Sequence, residues 1–419
     1  MTEEVVTFEK HTYGGDCLGR LSDGRAVFVP FIIPGETAKI RLVEEKKRFA
    51  RGEIVEILEP SPERITPKCP HFFVPPTNGE KTVSCGGCHH QHISYEYQLR
   101  FKADVLRDQL ERIGKLEDPP VQATAPSAQP WNYRNHLQFH ITPDGQLGFQ
   151  APRAQAITAI KECHLPEAAI DHLWPQLDIE SIPGLDRVGI RRGANDDLMV
   201  VLESSDPQPV GLDVDMPLSM VHLGPGGSIV MAGDDHIVIE VAERIFRVSA
   251  ASFFNANTAM ADMMVAHLLD NLSLTKNITL IDAYCGVGLF SAFLAPHVDR
   301  LIGIEASPNA SEDFAINLDE FEHVEIYEAP VEDVLPALDI RPNVIVVDPP
   351  RSGLIREALD GILSLAPQTL VYISGDPATL ARDAKRLTNG GYQLQQVTPF
   401  DLFPQTYHIN SISFWEKVE

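Results

Sequence analysis

Three cysteines of this chain lie close together in the sequence, in a segment that also carries several histidines. Cys69 is followed by Cys85 and Cys88, with His71 and His89 beside them. In a cytosolic protein, thiols at this spacing indicate a metal site or redox chemistry rather than disulfides. They suit either zinc, with help from a histidine, or an iron–sulfur cluster. A metal-free structural role is the third interpretation, although close free thiols are prone to oxidation.

A glycine loop between a predicted strand and a predicted helix forms a second group of chemically informative residues. Gly286 and Gly288 would let the backbone pass close to a ligand, with amide groups at the helix start facing it. Asp282 precedes the loop. Glu305 ends the next predicted strand, where a carboxylate can accept hydrogen bonds from both hydroxyls of a ribose. Ser291 replaces the third glycine of the dinucleotide fingerprint. The pattern predicts a nucleotide-type cofactor site.

Asp348 begins the sequence Asp-Pro-Pro-Arg at the end of the fourth predicted strand of this region. It would place a carboxylate and a rigid backbone corner beside the reactive end of the cofactor. This arrangement favours a methyltransferase over a dehydrogenase. A plain turn between strand and helix is the alternative interpretation.

The elements that must position these residues divide the chain into three parts. Residues 1–60 carry short strand-like runs between glycine turns, which predicts a five-stranded barrel of the OB type. One amphipathic helix is predicted from Tyr95 to Ile113, and residues 123 to about 240 read as an α+β unit. From Ala259 onward, apolar strands alternate with helices, as in a parallel sheet. The predicted fold class is α/β: an OB-like barrel, an α+β middle domain with the cysteine cluster, and a C-terminal Rossmann-type sheet.

Composition limits the classes of partner. The formal net charge of -25 does not favour nucleic-acid binding. RNA contact would therefore need a local basic patch such as Lys39 to Arg51, for which a solvated hairpin is the alternative reading. The chain has no run of 18 apolar residues, so no membrane span is expected. The N-terminal segment also lacks the apolar stretch of a signal peptide. We expect a cytoplasmic protein.

Taken together, the motifs resemble those of the RNA uracil-5-methyltransferase family. The N-terminal unit looks like the family's TRAM domain, an OB-like RNA-binding barrel. The matching segments follow the family's order and cover nearly the whole chain: Trp131-Asn-Tyr-Arg-Asn, Ser252-Phe-Phe-Asn-Ala-Asn, Asp282-Ala-Tyr-Cys-Gly-Val-Gly, Asp348-Pro-Pro-Arg-Ser-Gly, Ser374-Gly-Asp-Pro-Ala-Thr-Leu-Ala-Arg-Asp and Asp401-Leu-Phe-Pro-Gln-Thr-Tyr-His.

The resemblance implies an enzyme that transfers a methyl group from S-adenosylmethionine to RNA, either ribosomal or transfer RNA, and acts as a monomer. The implied cofactor-binding residues are Asn255, Asp282, Tyr284, Gly286, Gly288, Glu305 and Asp348. Asn255 departs from the family, which usually has glutamine there. The implied domains are a TRAM domain (1–60), a central iron–sulfur domain (61–92 and 121–240) and a methyltransferase domain (93–120 and 241–419).

The resemblance also gives the cysteines a role. Iron–sulfur members of the family hold a [4Fe-4S] cluster with a Cys…Cys-x-x-Cys group and a distant fourth cysteine. This implies Cys69, Cys85, Cys88 and Cys163 as ligands, with zinc as the alternative metal. The interval between Cys69 and Cys85 is longer than the family leads us to expect, and Pro75 to Lys81 looks like an inserted loop.

Two reactive groups of the family are absent. In the family, a cysteine thiolate adds to uracil C6, the enolate takes the methyl group, and a glutamate removes the C5 proton. Gly375 occupies the position of that cysteine and Asn410 the position of that glutamate. Asp376 and His408 are the nearby groups that could take a proton, and Ser374 is an unactivated hydroxyl. Asp348 alone is retained as a catalytic candidate.

Three hypotheses follow. The chain is an RNA methyltransferase of unusual chemistry, which could methylate a base nitrogen because nitrogen has its own lone pair. Alternatively, it is an inactive RNA-binding homologue, for example an RNA-folding or ribosome-assembly factor. The third is an acidic metalloprotein that binds no RNA. In each case we expect no 5-methyluridine by the covalent mechanism.

Overall fold

A computed structural model describes residues 2–73, 84–177, 179, 184–207 and 216–418 of the chain. The segment that the sequence marks as an inserted loop, Pro75 to Lys81, lies outside the described residues. Within these ranges, no helix has the length and apolar character needed to cross a bilayer.

The N-terminal residues form the predicted barrel, which closes with neighbouring strands in the order β1-β2-β3-β5-β4. Alternate residues such as Val27 and Val29, or Ala38 and Ile40, point into its core because side chains alternate sides along a strand. The strands are β1 (Glu3–His11), β2 (Asp16–Arg20), β3 (Ala26–Pro30), β4 (Thr37–Glu45) and β5 (Phe49–Glu59). Helix α1 (Tyr95–Arg112) follows, within a residue of its predicted bounds.

The middle of the chain forms a seven-stranded sheet in the order β12-β11-β10-β9-β6-β7-β8, with one short helix against it. This confirms the predicted α+β unit. Its elements are β6 (His136–Ile141), β7 (Leu147–Gln150), β8 (Ile157–Ala159), α2 (Ala168–Leu173), β9 (Leu185–Arg192), β10 (Leu198–Ser204), β11 (Ser219–Gly224) and β12 (Gly227–Ala232), followed by the hairpin β13 (His236–Val241) and β14 (Arg244–Ser249).

The C-terminal part is a second seven-stranded sheet, in the order β17-β16-β15-β18-β19-β21-β20. The five strands β15 to β19 are parallel, and β21 runs antiparallel to both of its neighbours. The elements are α3 (Thr258–Asn271), β15 (Thr279–Ala283), α4 (Leu289–Leu294), β16 (Arg300–Glu305), α5 (Pro308–Asn317), β17 (Val324–Glu328), α6 (Val331–Val334), β18 (Val344–Val347), α7 (Arg356–Leu365), β19 (Thr369–Ser374), α8 (Pro377–Asn389), β20 (Tyr392–Phe400) and β21 (Asn410–Lys417).

The inner parallel strands β15, β16, β18 and β19 are mostly apolar because both faces of the sheet are covered there, whereas the edge strand β17 is largely exposed. Leu280 and Ile281 are neighbours on β15 and are fully buried, yet they belong to the cores on opposite faces of the sheet. The strand order reverses at β15, which has β16 on one side and β18 on the other. In open α/β sheets, ligands bind beyond the carboxyl ends of the strands at such a point.

Helix α1 precedes the middle sheet in sequence but packs against α8 of the C-terminal sheet. Lys102 of α1 is fully buried, and its Nζ lies 2.6 Å from Oδ1 of the equally buried Asp401. The same Nζ donates a hydrogen bond to the carbonyl oxygen of Phe403. This ion pair ties α1 to the loop that connects β20 with β21.

We predict that Lys102→Met lowers the free energy of unfolding by about 3–5 kcal/mol, because it leaves the Asp401 carboxylate buried without its counter-charge. Lys10→Met is the matched control. It removes an ion pair of similar length to Asp108, but Lys10 is exposed, so the cost should be about 0–1 kcal/mol. Urea unfolding of both variants measures the difference. Equal losses of unfolding free energy would show that the buried pair stabilises the fold no more than the exposed pair does.

Candidate active site at the carboxyl edge of the sheet

In the glycine loop after β15, three residues have a positive φ, and two of them are glycines. Gly288 has φ +91°, and a Cβ there would lie 2.4 Å from Cδ1 of Leu318, so only glycine fits. Gly286 has φ +54° and nothing within 4 Å of an added Cβ, which leaves its outer side open to a ligand. Tyr284 also has a positive φ, of 64°, a strained conformation for a tyrosine. Such strain often marks a functional site.

Glu305 ends β16 and turns its carboxylate back to the loop. Its Oε2 accepts a hydrogen bond from the Gly286 amide (3.0 Å), and its Oε1 accepts one from the Ser307 amide (2.8 Å). A carboxylate has further lone pairs, so these bonds hold the side chain in place and leave it able to accept from hydroxyl groups.

Asp282 is fully buried at the end of β15. Ser291, at the position of the missing third glycine, donates a hydrogen bond of 2.6 Å to Oδ2. Oδ1 has no hydrogen-bond partner among the described residues, which is unusual for a buried carboxyl oxygen. Burial raises the pKa of Asp282 to about 7. The charge of Glu305 also raises this pKa, whereas the hydrogen bond from Ser291 lowers it.

Asp348 follows β18, the neighbour of β15. Burial, with a smaller contribution from the charge of Asp282, raises the pKa of its carboxyl to about 8. No hydrogen bond to this carboxyl is found within the described part of the chain. Two candidate acids with raised pKa values therefore lie at adjacent strand ends, an arrangement typical of functional sites.

Asn255, the first of the predicted cofactor positions in the sequence, lies in the loop before α3. Its carbonyl oxygen accepts a hydrogen bond from the Asn135 side chain (3.0 Å), which ties the middle sheet to this loop. Its own side chain is half-buried and makes no hydrogen bond within the described ranges.

Gly375 and Asn410 lie next to each other at the ends of two paired strands, β19 and β21. Gly375 follows β19 and Asn410 begins β21, which pairs with β19 so that Ser374 lies opposite Ser411. A Cβ on Gly375 would lie 3.8 Å from Asn410 Nδ2 and 3.7 Å from Arg351 Cγ, both ordinary contacts. The backbone at Gly375 is not in the left-handed region, so nothing in the structure requires glycine there.

The polar side chains near Gly375 and Asn410 that could replace the missing groups are Asp376, His408 and Ser374. Asp376 caps α8: its Oδ1 accepts from the amides of Ala378 and Thr379, each at 2.9 Å. Its Oδ2 accepts a short hydrogen bond from the hydroxyl of Tyr13, a residue of the barrel. Burial and the nearby Arg351 lower the pKa of His408 to about 2. Neither residue is a free base, and the buried Ser374 hydroxyl is bonded to the backbone of Asp376.

Tyr13 is a residue that sequence reasoning missed. It is separated from Asp376 by 363 positions, and no periodicity or motif connects the two. In the sequence, Arg351 stands out only as the last residue of the Asp-Pro-Pro-Arg motif. Its exposed side chain makes no ion pair or hydrogen bond within the described residues. Its Cγ lies 3.7 Å from where a Cβ on Gly375 would be.

The four predicted cysteine ligands line a single cavity of about 250 Å³ between the loop before α1 and the middle sheet. Burial is the main cause that raises the pKa of each thiol, and neighbouring cysteines contribute for Cys85, with a pKa of about 11, for Cys163, with a pKa of about 12, and for Cys88. The Gly87 amide donates to Sγ of Cys85 (3.3 Å). Within the described ranges, no three histidine, cysteine or acidic side chains converge tightly enough to hold a single metal ion.

The remaining two cysteines are core residues. Cys17 is inside the barrel and Cys285 lies under the glycine loop; both are buried. The basic run from Lys39 to Arg51 is partly neutralised, because Lys39 pairs with Glu3 and Arg51 with Asp16 and Glu44.

Comparisons with known proteins agree with this architecture. A family model described as tRNA (Uracil-5-)-methyltransferase matches residues 228–418, and a TRAM domain model matches residues 2–55. An "Uncharacterized RNA methyltransferase" of Aquifex aeolicus is 35% identical over 430 residues, covering 98% of both chains. A protein of the same description from Halalkalibacterium halodurans is 34% identical, covering 98% of this chain and 96% of the relative.

One solved structure matches along the whole chain. It is the Pyrococcus abyssi tRNA (uracil-54, C5)-methyltransferase in complex with S-adenosyl-L-homocysteine, with a TM-score of 0.72 and 23% identity. The match covers 99% of this chain and 100% of that one. It confirms the predicted combination of OB-like barrel and methyltransferase sheet.

The raised pKa of Asp282 can be tested by Asp282→Asn. The folded chain keeps this carboxyl protonated up to about pH 7, whereas the unfolded chain loses the proton near pH 3.8. Wild-type stability from this group is therefore complete below about pH 4 and is lost as the pH rises through about 7. Asparagine does not titrate. The variant should gain free energy of unfolding relative to wild type between these pH values and keep a constant difference above them.

Urea unfolding across this pH range measures the effect, with the exposed Asp319→Asn as the matched control. A difference between Asp282→Asn and wild type that does not change with pH would contradict the assignment.

Proposed function

Because this chain belongs to the tRNA (uracil-5-)-methyltransferase family of RNA methyltransferases, we propose that it is an S-adenosylmethionine-dependent RNA methyltransferase that acts on a base nitrogen instead of uracil C5. The observation that carries this proposal is that Gly375 and Asn410 lie next to each other and supply neither a nucleophile nor a base, beside an otherwise complete carboxyl edge. The RNA is ribosomal or transfer RNA. One chain holds every residue of the site, so a monomer is sufficient.

The residues at the sheet edge fit S-adenosylmethionine. The unpartnered Oδ1 of Asp282 suits the ammonium group of the methionine part, and Glu305 suits the ribose hydroxyls. The open side of Gly286 admits the ligand to the backbone. Tyr284, Gly288, Asn255 and Asp348 complete the proposed lining. The bound cofactor would supply an electrophilic methyl group on its sulfonium.

This chain lacks the nucleophilic group that methylation of uracil C5 requires. Carbon 5 becomes nucleophilic only after a thiolate has added to C6. Four cysteines line one cavity, and Cys17 and Cys285 are buried in cores, so no described thiol is left for this step. The absence of a carboxylate at Asn410 also removes the base that would release the C5 proton.

Nitrogen methylation needs neither missing group, because the amine has its own lone pair. What it needs is orientation of the amine toward the methyl group and an acceptor for the departing proton. The carboxyl of Asp348 supports the second role in its ionised form, which forms as the pH rises through about 8.

An inactive RNA-binding homologue is the second candidate function. The combined replacement of the nucleophile and the base supports it, since both changes fall on one site. The barrel could then bind RNA independently of the sheet edge, and binding would persist in Asp348→Ala.

We further propose that Cys69, Cys85, Cys88 and Cys163 hold a [4Fe-4S] cluster. Four thiols around one cavity, with an amide donating to Cys85, fit the ligand set of such a cluster. The cluster would supply a cross-link between the loop before α1 and the middle sheet, or a redox centre. Zinc is the alternative.

The proposed domains follow the sequence assignment: 1–60, then 61–92 with 121–240, then 93–120 with 241–419. Packing of α1 on α8 supports the placement of 93–120 with the last domain. Strand β14 shares a core with α3 and β15, which supports its placement in 241–419.

Methyl transfer from labelled S-adenosylmethionine to unmodified tRNA and rRNA transcripts tests the main proposal. We expect label in a nitrogen-methylated nucleoside and none in 5-methyluridine. No label in any nucleoside at saturating cofactor would sink the proposal and favour the inactive homologue.

Restoring the missing groups provides a second readout. The double variant Gly375→Cys with Asn410→Glu should form 5-methyluridine, because a Cβ at residue 375 meets no close contact. Gly375→Cys alone should trap an RNA–protein adduct that survives denaturing gel electrophoresis, because it has a nucleophile but no base. If neither variant reacts with uridine, the edge is not the methyl-transfer site.

For the cysteine site, we expect iron and acid-labile sulfide in anaerobic preparations of the wild type. Cys88→Ser and Cys163→Ser should lose most of both, whereas Cys17→Ser should keep them, because Cys17 lies in the barrel core. Stoichiometric zinc in place of iron would overturn the cluster in favour of its alternative.

A further inference from the structure

Arg134 carries a guanidinium group without a counter-charge among the described residues. Its side chain is half-buried and its Nε is shielded from solvent, yet it makes no ion pair or hydrogen bond within the described ranges. The guanidinium carbon lies 5.6 Å from the ring centre of Phe403, a cation–π contact that provides no negative charge. A cation withdrawn from water without an anion is unfavourable, which indicates that this side chain is placed for a negatively charged group.

The backbone holds Arg134 beside the segment that carries Cys163. The Arg134 amide donates a hydrogen bond to the carbonyl oxygen of Leu165 (2.9 Å), and the Arg134 carbonyl oxygen accepts one from the amide of Glu167 (2.9 Å). The amide of Leu165 in turn donates to the Cys163 thiol. Leu165 therefore positions both the arginine and one of the four cysteines.

The side chain of Arg134 also lines the cysteine cavity. Among the described residues of the cavity wall, Arg134 is the only one with a permanent positive charge, and Glu162 is the only carboxylate. Glu162 is half exposed and lies 3.6 Å from Nε2 of His164, so it is not the partner of Arg134. Burial raises the pKa of Cys163, and the charge of Arg134 opposes this shift, as expected for a guanidinium near the thiol.

Four thiolates in this cavity would require such a cation. Cysteines bind iron in the deprotonated form, and four of them give a [4Fe-4S] cluster a net negative charge. Withdrawing that charge from water is costly unless a cation or hydrogen-bond donors face it. The amides of Gly87 and Leu165 already donate to Cys85 and Cys163, but an amide is neutral. The guanidinium of Arg134 supplies the charge that these donors lack.

We propose, on the basis of the [4Fe-4S] cluster proposed above, that the Arg134 guanidinium is the counter-charge of this cluster and raises its reduction potential. Reduction adds one electron, and hence one negative charge, to the cluster. A fixed cation beside it favours the more negative state. The net charge and the hydrogen bonds to sulfur are among the factors that set the potential of such clusters.

The experiment titrates anaerobic wild type and Arg134→Gln with titanium(III) citrate, which donates the electron, and follows the electron paramagnetic resonance signal of the reduced cluster. We expect the equilibrium constant for reduction to be about tenfold lower in Arg134→Gln, a shift of about 59 mV for one electron. Iron should also pass faster from this variant to a chelator. Arg134→Lys keeps the positive charge and should stay closer to wild type in both measurements.

Lys161→Gln is the matched control. It removes one positive charge two residues before Cys163, but Lys161 is exposed and does not line the cavity, so water and salt screen its charge. Its reduction potential and its rate of iron release should match those of wild type.

Equal potentials and equal iron-release rates in wild type and Arg134→Gln would overturn the counter-charge and leave the proposed cluster standing. Loss of iron from Arg134→Gln that also occurs in Arg134→Lys would overturn it too, because the shape of the side chain and not its charge would then hold the site. Stoichiometric zinc in the anaerobic wild type, or no metal at all, would overturn the cluster itself and this inference with it.

Discussion

The position of the candidate site depends on the buried ion pair between Lys102 and Asp401. Neither charge has access to water, so each is tolerable only because the other lies 2.6 Å away. Asp401 begins the loop that ends in Asn410, and Lys102 belongs to α1, which packs on α8. The pair therefore fixes the start of β21 relative to the N-terminal end of α8, where Gly375 lies. The pairing of β19 with β21 brings together the two positions that lack reactive groups, and the ion pair anchors the loop that leads into β21.

A second set of contacts ties the cysteine segment to the same loop. The buried side chain of Gln98 donates to the carbonyl oxygens of His90 and Ile93 and to the side chain of Gln405. The amides of His89 and His90 in turn donate to the carbonyl oxygen of Gln405. Because Cys88 directly precedes His89, a cluster on the cysteines would stiffen the loop that leads to Asn410. This gives the proposed cluster a structural role without any electron transfer.

The barrel is attached to the same region. Tyr13 contacts Asp376 at the candidate site, and Asp16 pairs with Arg51 of the barrel and Arg153 of the middle sheet region. The proposed RNA-binding module thus lies next to the edge where a base would react. The chain as a whole is strongly acidic, yet Arg351 stands at this edge without an acidic partner among the described residues. If RNA is the substrate as proposed, a local cation on a strongly acidic chain would attract the strand to this edge.

The sequence by itself determined the elements and the local chemistry of the motifs. Strand periodicity predicted the barrel and the parallel strands, because alternation and continuous apolar runs report how many faces of a strand are covered. The order Asp282, glycine loop, Glu305 and Asp348 predicted one edge, since consecutive parallel strands bring their carboxyl ends together. The tertiary structure alone decided which distant groups meet. It brought Tyr13 to Asp376 and Cys163 to the other three cysteines. It left Oδ1 of Asp282 and the carboxamide of Asn410 without hydrogen-bond partners among the described residues. These outcomes depend on packing between segments hundreds of residues apart, and local sequence carries no record of such packing.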